Sequence, residues 1–193
     1  MSTHDPLRLF FAIELNKELR DALSKLIDEL KHEPWGNRVR WVHPDNLHVT
    51  LRFLGTADPS LIAALAESTH KAIKKIKPFS LRLHNIRFFP SPTAPRAIAA
   101  DIIPTAELFE LAHSLEEVAR SLGFPPETKP YLPHLTLGRI VHHHTSNLRE
   151  ELKLNASAML VDKIVLFDSK KTEYNQIYTS LESIPFQTAT ATV

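Results

Sequence analysis

The sequence predicts a protein of mixed strands and helices folded as one unit, and three observations lead there. Apolar and polar residues alternate over several short runs, as they do in strands with one buried face. Between those runs, apolar residues recur at helical spacing in stretches that open on cap residues and close on Pro or Gly. Strand, helix, strand order then recurs in each half of the chain. At 193 residues and 43% hydrophobic content, the chain can bury one substantial core or two small lobes sharing an interface, and residues 1–193 are expected to form a single unit.

Taken in order, Leu7 to Glu14 is an apolar strand. From Lys17 the residues Leu19, Leu23, Leu26, Ile27 and Leu30 build a helical stripe, with Asn16 as N-cap and with Pro34 and Gly36 as the stop. Strands are expected at Arg38 to Val42 and Leu47 to Leu54, joined by the turn His43-Pro44-Asp45-Asn46. A second helix has Asp58 as its cap and Pro59 at its first position, an apolar stripe of Leu61, Ile62, Leu65, Ile73 and Ile76, and Pro78 as its end. Phe79 to Phe89 and Arg96 to Ile103 are expected as strands around a Pro-rich loop. Thr105 caps a third helix through Leu108, Leu111, Leu115, Val118 and Leu122, closed by Gly123. A strand from Leu132 to Leu137, a weak helix near Ser146 to Lys153, and strands near Asp162 to Phe167 and Tyr174 to Leu181 complete the chain.

The chemistry is carried by one short pattern that occurs twice, His48-Val49-Thr50-Leu51 and His134-Leu135-Thr136-Leu137. On a regular strand His48 and Thr50 share one face about 7 Å apart, while Val49, Leu51 and Phe53 are buried on the other. A single His-x-Thr on a strand is commonly structural. Two copies in matching Leu-Thr-Leu frames are not so easily explained that way, and facing each other they would line a cleft with two imidazoles and two hydroxyls. That set suits acid–base work on an anionic centre such as a phosphodiester.

The pattern resembles the 2H phosphoesterase superfamily, and within it the RNA 2′,3′-cyclic phosphodiesterases also called 2′-5′ RNA ligases. The likeness extends to Arg8-Leu9-Phe10-Phe11-Ala12-Ile13, to Val39-Arg40-Trp41-Val42 ahead of Asn46 through Gly55, to Pro133 through Arg139, and to Ile164 through Ser169. The chain departs from the family's pattern after the late strand, where Ser169 is followed by Lys170-Lys171 and Asn175 precedes Tyr178 without a glycine. Val141 to Ser157 matches nothing diagnostic. The resemblance implies an α+β architecture of two pseudo-symmetric lobes, with antiparallel sheets around a central cleft and helices on the outer faces.

It also implies a reaction, the hydrolysis of RNA 2′,3′-cyclic phosphate ends to 2′-phosphates without metal or cofactor. His134 would be the proton acceptor and His48 the proton donor, with Thr50, Thr136 and Arg139 binding the phosphoryl oxygens. Run in reverse, with a ribose hydroxyl in place of water, the reaction would join RNA ends without ATP. With both imidazoles near the usual 6.5, only about a quarter of molecules at that pH would hold a specified one neutral and the other charged, so the cleft should push the two apart. Regular alternation places Arg139 opposite His134, and Gly138 offers a kink that could turn it back. The alternatives are a relative acting on another cyclic phosphate, such as an ADP-ribose cyclic phosphate or a small nucleotide, and a non-catalytic module that binds RNA ends.

Net charge is +1, so any RNA contact is expected to be short and local. The lysines of Lys71 to Lys77 are expected on a solvated helix face, Trp41 in the core, and His142-His143-His144 in an exposed loop rather than at a metal. There is no cysteine for a disulfide or thiolate site, no signal-like start and no apolar run of about 18 residues. A cytoplasmic monomer acting on RNA ends or small nucleotides, with no membrane partner, is the expectation.

Overall fold

The computed structural model describes residues 5–91, 93–141, 152–154, 158–172 and 176–187. Along the chain come β1 (Leu7–Glu14), α1 (Lys17–Leu30), β2 (Val39–Trp41), β3 (His48–Ala57), α2 (Leu61–Ile73), β4 (Phe79–Leu81) and β5 (Leu83–Phe89). They are followed by β6 (Ala97–Ile102), α3 (Ala106–Ser121), β7 (His134–Ile140), β8 (Leu152–Lys153), β9 (Met159–Val161), β10 (Lys163–Lys171) and β11 (Gln176–Pro185).

Two helices begin where their caps dictate. Asn16 Oδ1 accepts the Leu19 N–H at 2.9 Å and α1 buries Leu19, Leu23, Ile27 and Leu30. Thr105 Oγ1 accepts the Leu108 N–H at 3.3 Å, and Gly123 supplies the positive φ of 86° that ends the turn after α3. The other helix is shorter than expected at both ends. Asp58 Oδ1 accepts from Ser60 N at 2.8 Å and its carbonyl from Leu61 N, so Asp58 and Pro59 form a preceding turn and α2 starts at Leu61. At the other end Ile76 N bonds Ile73 O at 2.9 Å, a tighter turn that still buries Ile76 and leaves Lys71, Lys74, Lys75 and Lys77 exposed.

The expected strand from Phe79 to Phe89 is two strands, because the chain switches sheets at Arg82: β4 pairs with β9, and β5 with β6 and β8. Of the expected helix near Ser146 to Lys153, residues 152–153 form the strand β8, and the rest lies outside the described residues, as does His142-His143-His144. Tyr174 and Asn175 are also outside them, so the late strand is described from Gln176.

Among the described residues all pairings are antiparallel, in the order β11-β10-β1-β3-β7-β6-β5-β8, with β2 also on β7. One residue pair, Val49 with Leu135, joins β3 to β7. This narrow joint divides the nine-stranded sheet into two lobes, one ending on β3 and one on β7. Neither lobe is a contiguous half of the chain: the first takes β10 and β11 from the C-terminal part, and the second takes β2 from the N-terminal part. Helix α3 packs on β3, and α2 on α3 and β11. Strand β1 is apolar on both faces because both are covered. Leu9, Phe11 and Ile13 enter the main core, while Phe10 and Ala12 join Val165, Phe167 and Tyr178 in a second, smaller cluster.

Candidate active site

Each motif strand contains the same irregularity. In β3, Phe11 pairs with Arg52 and Ala12 with Thr50, so Leu51 has no partner of its own; in β7, Ile98 pairs with Gly138 and Ala99 with Thr136, skipping Leu137. Such a bulge adds one residue to one strand and reverses the alternation beyond it. The face shared by His48 and Thr50 therefore continues with Phe53, and the face shared by His134 and Thr136 continues with Arg139. Burial agrees, since Leu51 and Arg52 are both buried, as are Leu137 and Gly138, whereas Phe53 and Arg139 are exposed. This corrects the expectation that Phe53 is buried with Val49 and Leu51: its side chain is 54% exposed and packs on Phe10 at 5.5 Å. Arg52 is buried in its place, ion-paired to Glu116 at 2.5 Å.

The joint at Val49 and Leu135 centres the two motifs on one spot. In an antiparallel crossing there, His48 lies toward Thr136 and Thr50 toward His134. The imidazoles are held alike. His48 Nδ1–H donates to Asn46 O at 2.7 Å, and His134 Nδ1–H to Leu132 O at 2.7 Å, each a carbonyl two residues upstream. That bond places the proton of the neutral ring on Nδ1 and leaves Nε2 as the titrating atom. Thr50 Oγ1 lies 3.1 Å from His48 Nε2. The Tyr131 hydroxyl donates to Thr50 O at 3.2 Å, tying the approach to β7 onto β3.

The surroundings of the two rings differ. His48 sits among Phe10 (5.1 Å between centroids), Phe167 (6.5 Å) and the edge of Tyr178 (5.0 Å). His134 is stacked on Phe89 at 4.1 Å and faces charge: Asp101 is its partner across β6, and Asp101 is ion-paired with Arg87. Burial pushes both imidazoles below the ordinary histidine value, each opposed by its backbone carbonyl. Arg139 lowers both further, the positive end of the His134 titration also lowers His48, and Arg87 and Asp101 pull His134 down and up respectively. Both shifts thus run the same way, and the difference between the histidines lies in which groups face them. Burial also raises the Tyr178 phenol.

A hollow of about 130 Å³ opens beside His48 between Glu14, Arg20, Asp45, Asn46 and Tyr178. Asn46 anchors one wall by donating from Nδ2 to Gln176 O at 2.7 Å. Trp41 packs on the core, its Nε1–H bonded to Gly36 O at 3.1 Å, as expected of it. Among the described residues, no group of three or more His, Asp or Glu side chains is arranged to hold a metal ion.

The five residues singled out in the sequence, His48, Thr50, His134, Thr136 and Arg139, therefore share one cleft-facing surface around the β3–β7 joint. Residues not foreseen there are Phe10, Phe53 and Phe167 on one side and Phe89, Arg87 and Asp101 on the other. Strand alternation marks Phe10 as sharing a face with Ala12 and Glu14, but on a strand apolar on both faces nothing in the sequence says which face is the cleft.

Two antiparallel lobes thus meet where the two imidazole–hydroxyl pairs are brought together, with Arg139 near enough to act on both rings. The chain belongs to the LigT-like phosphoesterase family, whose profile matches residues 13–99 and 103–178. It is similar to an RNA 2′,3′-cyclic phosphodiesterase of Methanothermobacter thermautotrophicus, 29% identical over 181 residues that cover 91% of this chain and 97% of the relative. A protein of the same name from Thermotoga maritima is 28% identical over 183 residues, covering 94% and 96%. Among solved structures, E. coli LigT in complex with 3′-AMP superposes with a TM-score of 0.80 at 27% identity, covering 95% of this chain and 100% of that one.

Proposed function

We propose that this protein hydrolyses RNA 2′,3′-cyclic phosphate ends to 2′-phosphates, with His134 as general base and His48 as general acid. The observation that carries the reading is the single-pair crossing of β3 and β7, which brings both His-x-Thr pairs to one place. The family membership, the relatives named for this activity and a related LigT that binds 3′-AMP support it.

In the proposed reaction, His134 Nε2 takes a proton from water as the water oxygen bonds to phosphorus. The bond from phosphorus to the 3′ oxygen breaks, and that oxygen takes its proton from His48 Nε2, leaving the phosphate on the 2′ oxygen. Thr50 and Thr136 donate to the non-bridging oxygens and Arg139 adds a charge-assisted contact. Because burial favours neutral His48, the anionic phosphate is what stabilises the imidazolium that must act as the acid. In reverse, a ribose hydroxyl replaces water and RNA ends are joined. The apolar core that runs through both lobes supports a single catalytic unit, and we read that unit as acting alone on RNA ends or nucleotides of the same chemistry.

The test is a short RNA ending in 2′,3′-cyclic phosphate, incubated with chelator present beside His48→Ala and His134→Ala. A 2′-phosphate product formed by the wild type and slowed about 100-fold or more in each variant is expected, the usual contribution of one positioned acid or base. A 3′-phosphate product, or variants as active as the wild type, would refute the roles. Turnover of ADP-ribose cyclic phosphate but not of RNA would replace the substrate.

A further inference from the structure

The surroundings of His134 contain a charged device that the reaction as written does not use. Arg87 on β5 and Asp101 on β6 form an ion pair of 2.5 Å, with side chains 30% and 27% exposed. Asp101 is the residue directly across the ladder from His134. Arg87 Cζ lies 5.2 Å from the centroid of the Phe89 ring, and the same ring stacks on the His134 imidazole at 4.1 Å and 17°. Arg87 Nη1 also donates to Pro90 O at 3.3 Å, which fixes the guanidinium at the end of β5. The contacts close a circuit: His134 to Phe89, Phe89 to Arg87, Arg87 to Asp101, and Asp101 back to His134 across β6 and β7. By His48 the residue across the ladder is Glu14, in a longer and more exposed ion pair with Lys163 at 3.7 Å, and the ring's own neighbours are aromatic.

We propose that Arg87 and Asp101 are positioning residues for His134, a charge-compensated pair that presents the ring with a carboxylate already neutralised, so that His134 stays uncharged and able to accept a proton. Phe89 holds the plane of the ring while the pair sets its electrostatic surroundings. The inference rests on the reading of His134 as a catalytic base.

Each partner alone would act on the ring in the opposite direction from the other. An uncompensated carboxylate one residue pair away favours the imidazolium, which cannot act as a base; an uncompensated guanidinium there favours the neutral ring. Together they leave the ring close to where burial puts it. The other charged groups facing His134 among the described residues are Arg139 on its own strand, which disfavours a charge on it, and His48 across the joint, whose own charge His134 disfavours. Arg87 is therefore needed only because Asp101 is present. Asp101 in turn earns its place by fixing Arg87 against Phe89.

Opposite signs follow for the two single substitutions, and this separates tuning from mere damage. Arg87→Gln leaves Asp101 uncompensated and should move the acidic limb of the kcat/KM profile to higher pH. Asp101→Asn leaves Arg87 uncompensated and should move it to lower pH. The double variant should return toward the wild type. A unit charge screened by water at this range moves a titration by about half a pH unit. The same three proteins are followed by NMR through the His134 ring proton, assigned with His134→Gln, so the ring is read directly and without substrate.

Opposite shifts in the ring titration, cancelled in the double variant, are the result expected. Shifts of the same sign, or none, in properly folded variants would overturn the inference. Opposite ring shifts in a protein that does not turn over cyclic phosphate would keep the inference and refute the proposed reaction. If the alkaline limb of the rate profile moved in place of the acidic one, the pair would still tune His134, but as the acid.

Discussion

His48 and His134 obtain the same support from the same local source, a carbonyl two residues upstream that fixes the proton on Nδ1. Because the bond is local, each His-x-Thr strand brings its own tautomer with it, and the tertiary structure has only to bring the strands together. The threonines repeat the economy, lying two residues past each histidine on the same face. Thr136→Ala should lower kcat/KM about 100-fold by removing one donor to the phosphoryl oxygens, and Thr136→Ser should restore most of it. Equal rates for all three proteins, measured at saturating and at limiting substrate, would remove Thr136 from the site. Trp41, Phe89 and Tyr178 show how aromatic residues divide by neighbourhood: the first packs on the core, and the other two lie against the histidines.

At the scale of elements, the bulges at Leu51 and Leu137 decide the character of the cleft. An identical kink in each strand turns a phenylalanine toward it on one side and an arginine on the other, so the cleft has an aromatic end and a cationic end. Gly138 makes the second kink compatible with the neighbouring strand β2: a Cβ at that position would lie 2.3 Å from Val39 Cγ1 and 3.1 Å from the Trp41 ring. Gly138→Ala should destabilise the fold by about 1–3 kcal/mol through overpacking and weaken substrate binding by displacing Arg139. Denaturant midpoints and KM measured together check it, and an unchanged midpoint would mean that β2 yields without cost. Strand β3 has a different support. Arg52, which the bulge turns to the helix side, is held by Glu116 of α3 and by the carbonyls of Phe53 and Pro125, so it braces the bulge from behind.

For the molecule as a whole, the lowered histidines link stability to pH. A group whose folded value lies below its unfolded one binds more protons when unfolded, so its contribution is complete above the unfolded value and is lost as pH falls through the folded one. His48 and His134 are both of this kind, because burial penalises their charged forms. Melting temperature should therefore decline as pH falls below about 6.5, and the decline should be smaller in the double variant His48→Gln, His134→Gln. The same slope in wild type and double variant would place the acid sensitivity elsewhere.

Local interactions made much of this legible in the sequence. The helix stripes of α1 and α3, their Asn16 and Thr105 caps, the strand β1 and both motif strands depend on neighbours within a few residues, and side-chain spacing reports them directly. Helix α2 starts two residues later than its signals predict, because Asp58 can cap a turn as well as a helix and the sequence does not distinguish the two. The break at Arg82 was not visible because a strand that changes sheets keeps its apolar alternation. Phe53 and Arg139 could not be assigned to the cleft from spacing, since period-two alternation holds only while the ladder is regular and a bulge is set by the pairing partner. By itself, then, the sequence determined the elements and the two imidazole–hydroxyl pairs, because these depend on local periodicity and local hydrogen bonds. Which chain segments form each lobe, which face of β1 meets the cleft, and the pairing of Arg87 with Asp101 beside His134 were decided only by the tertiary structure, because they depend on contacts between residues far apart in the chain.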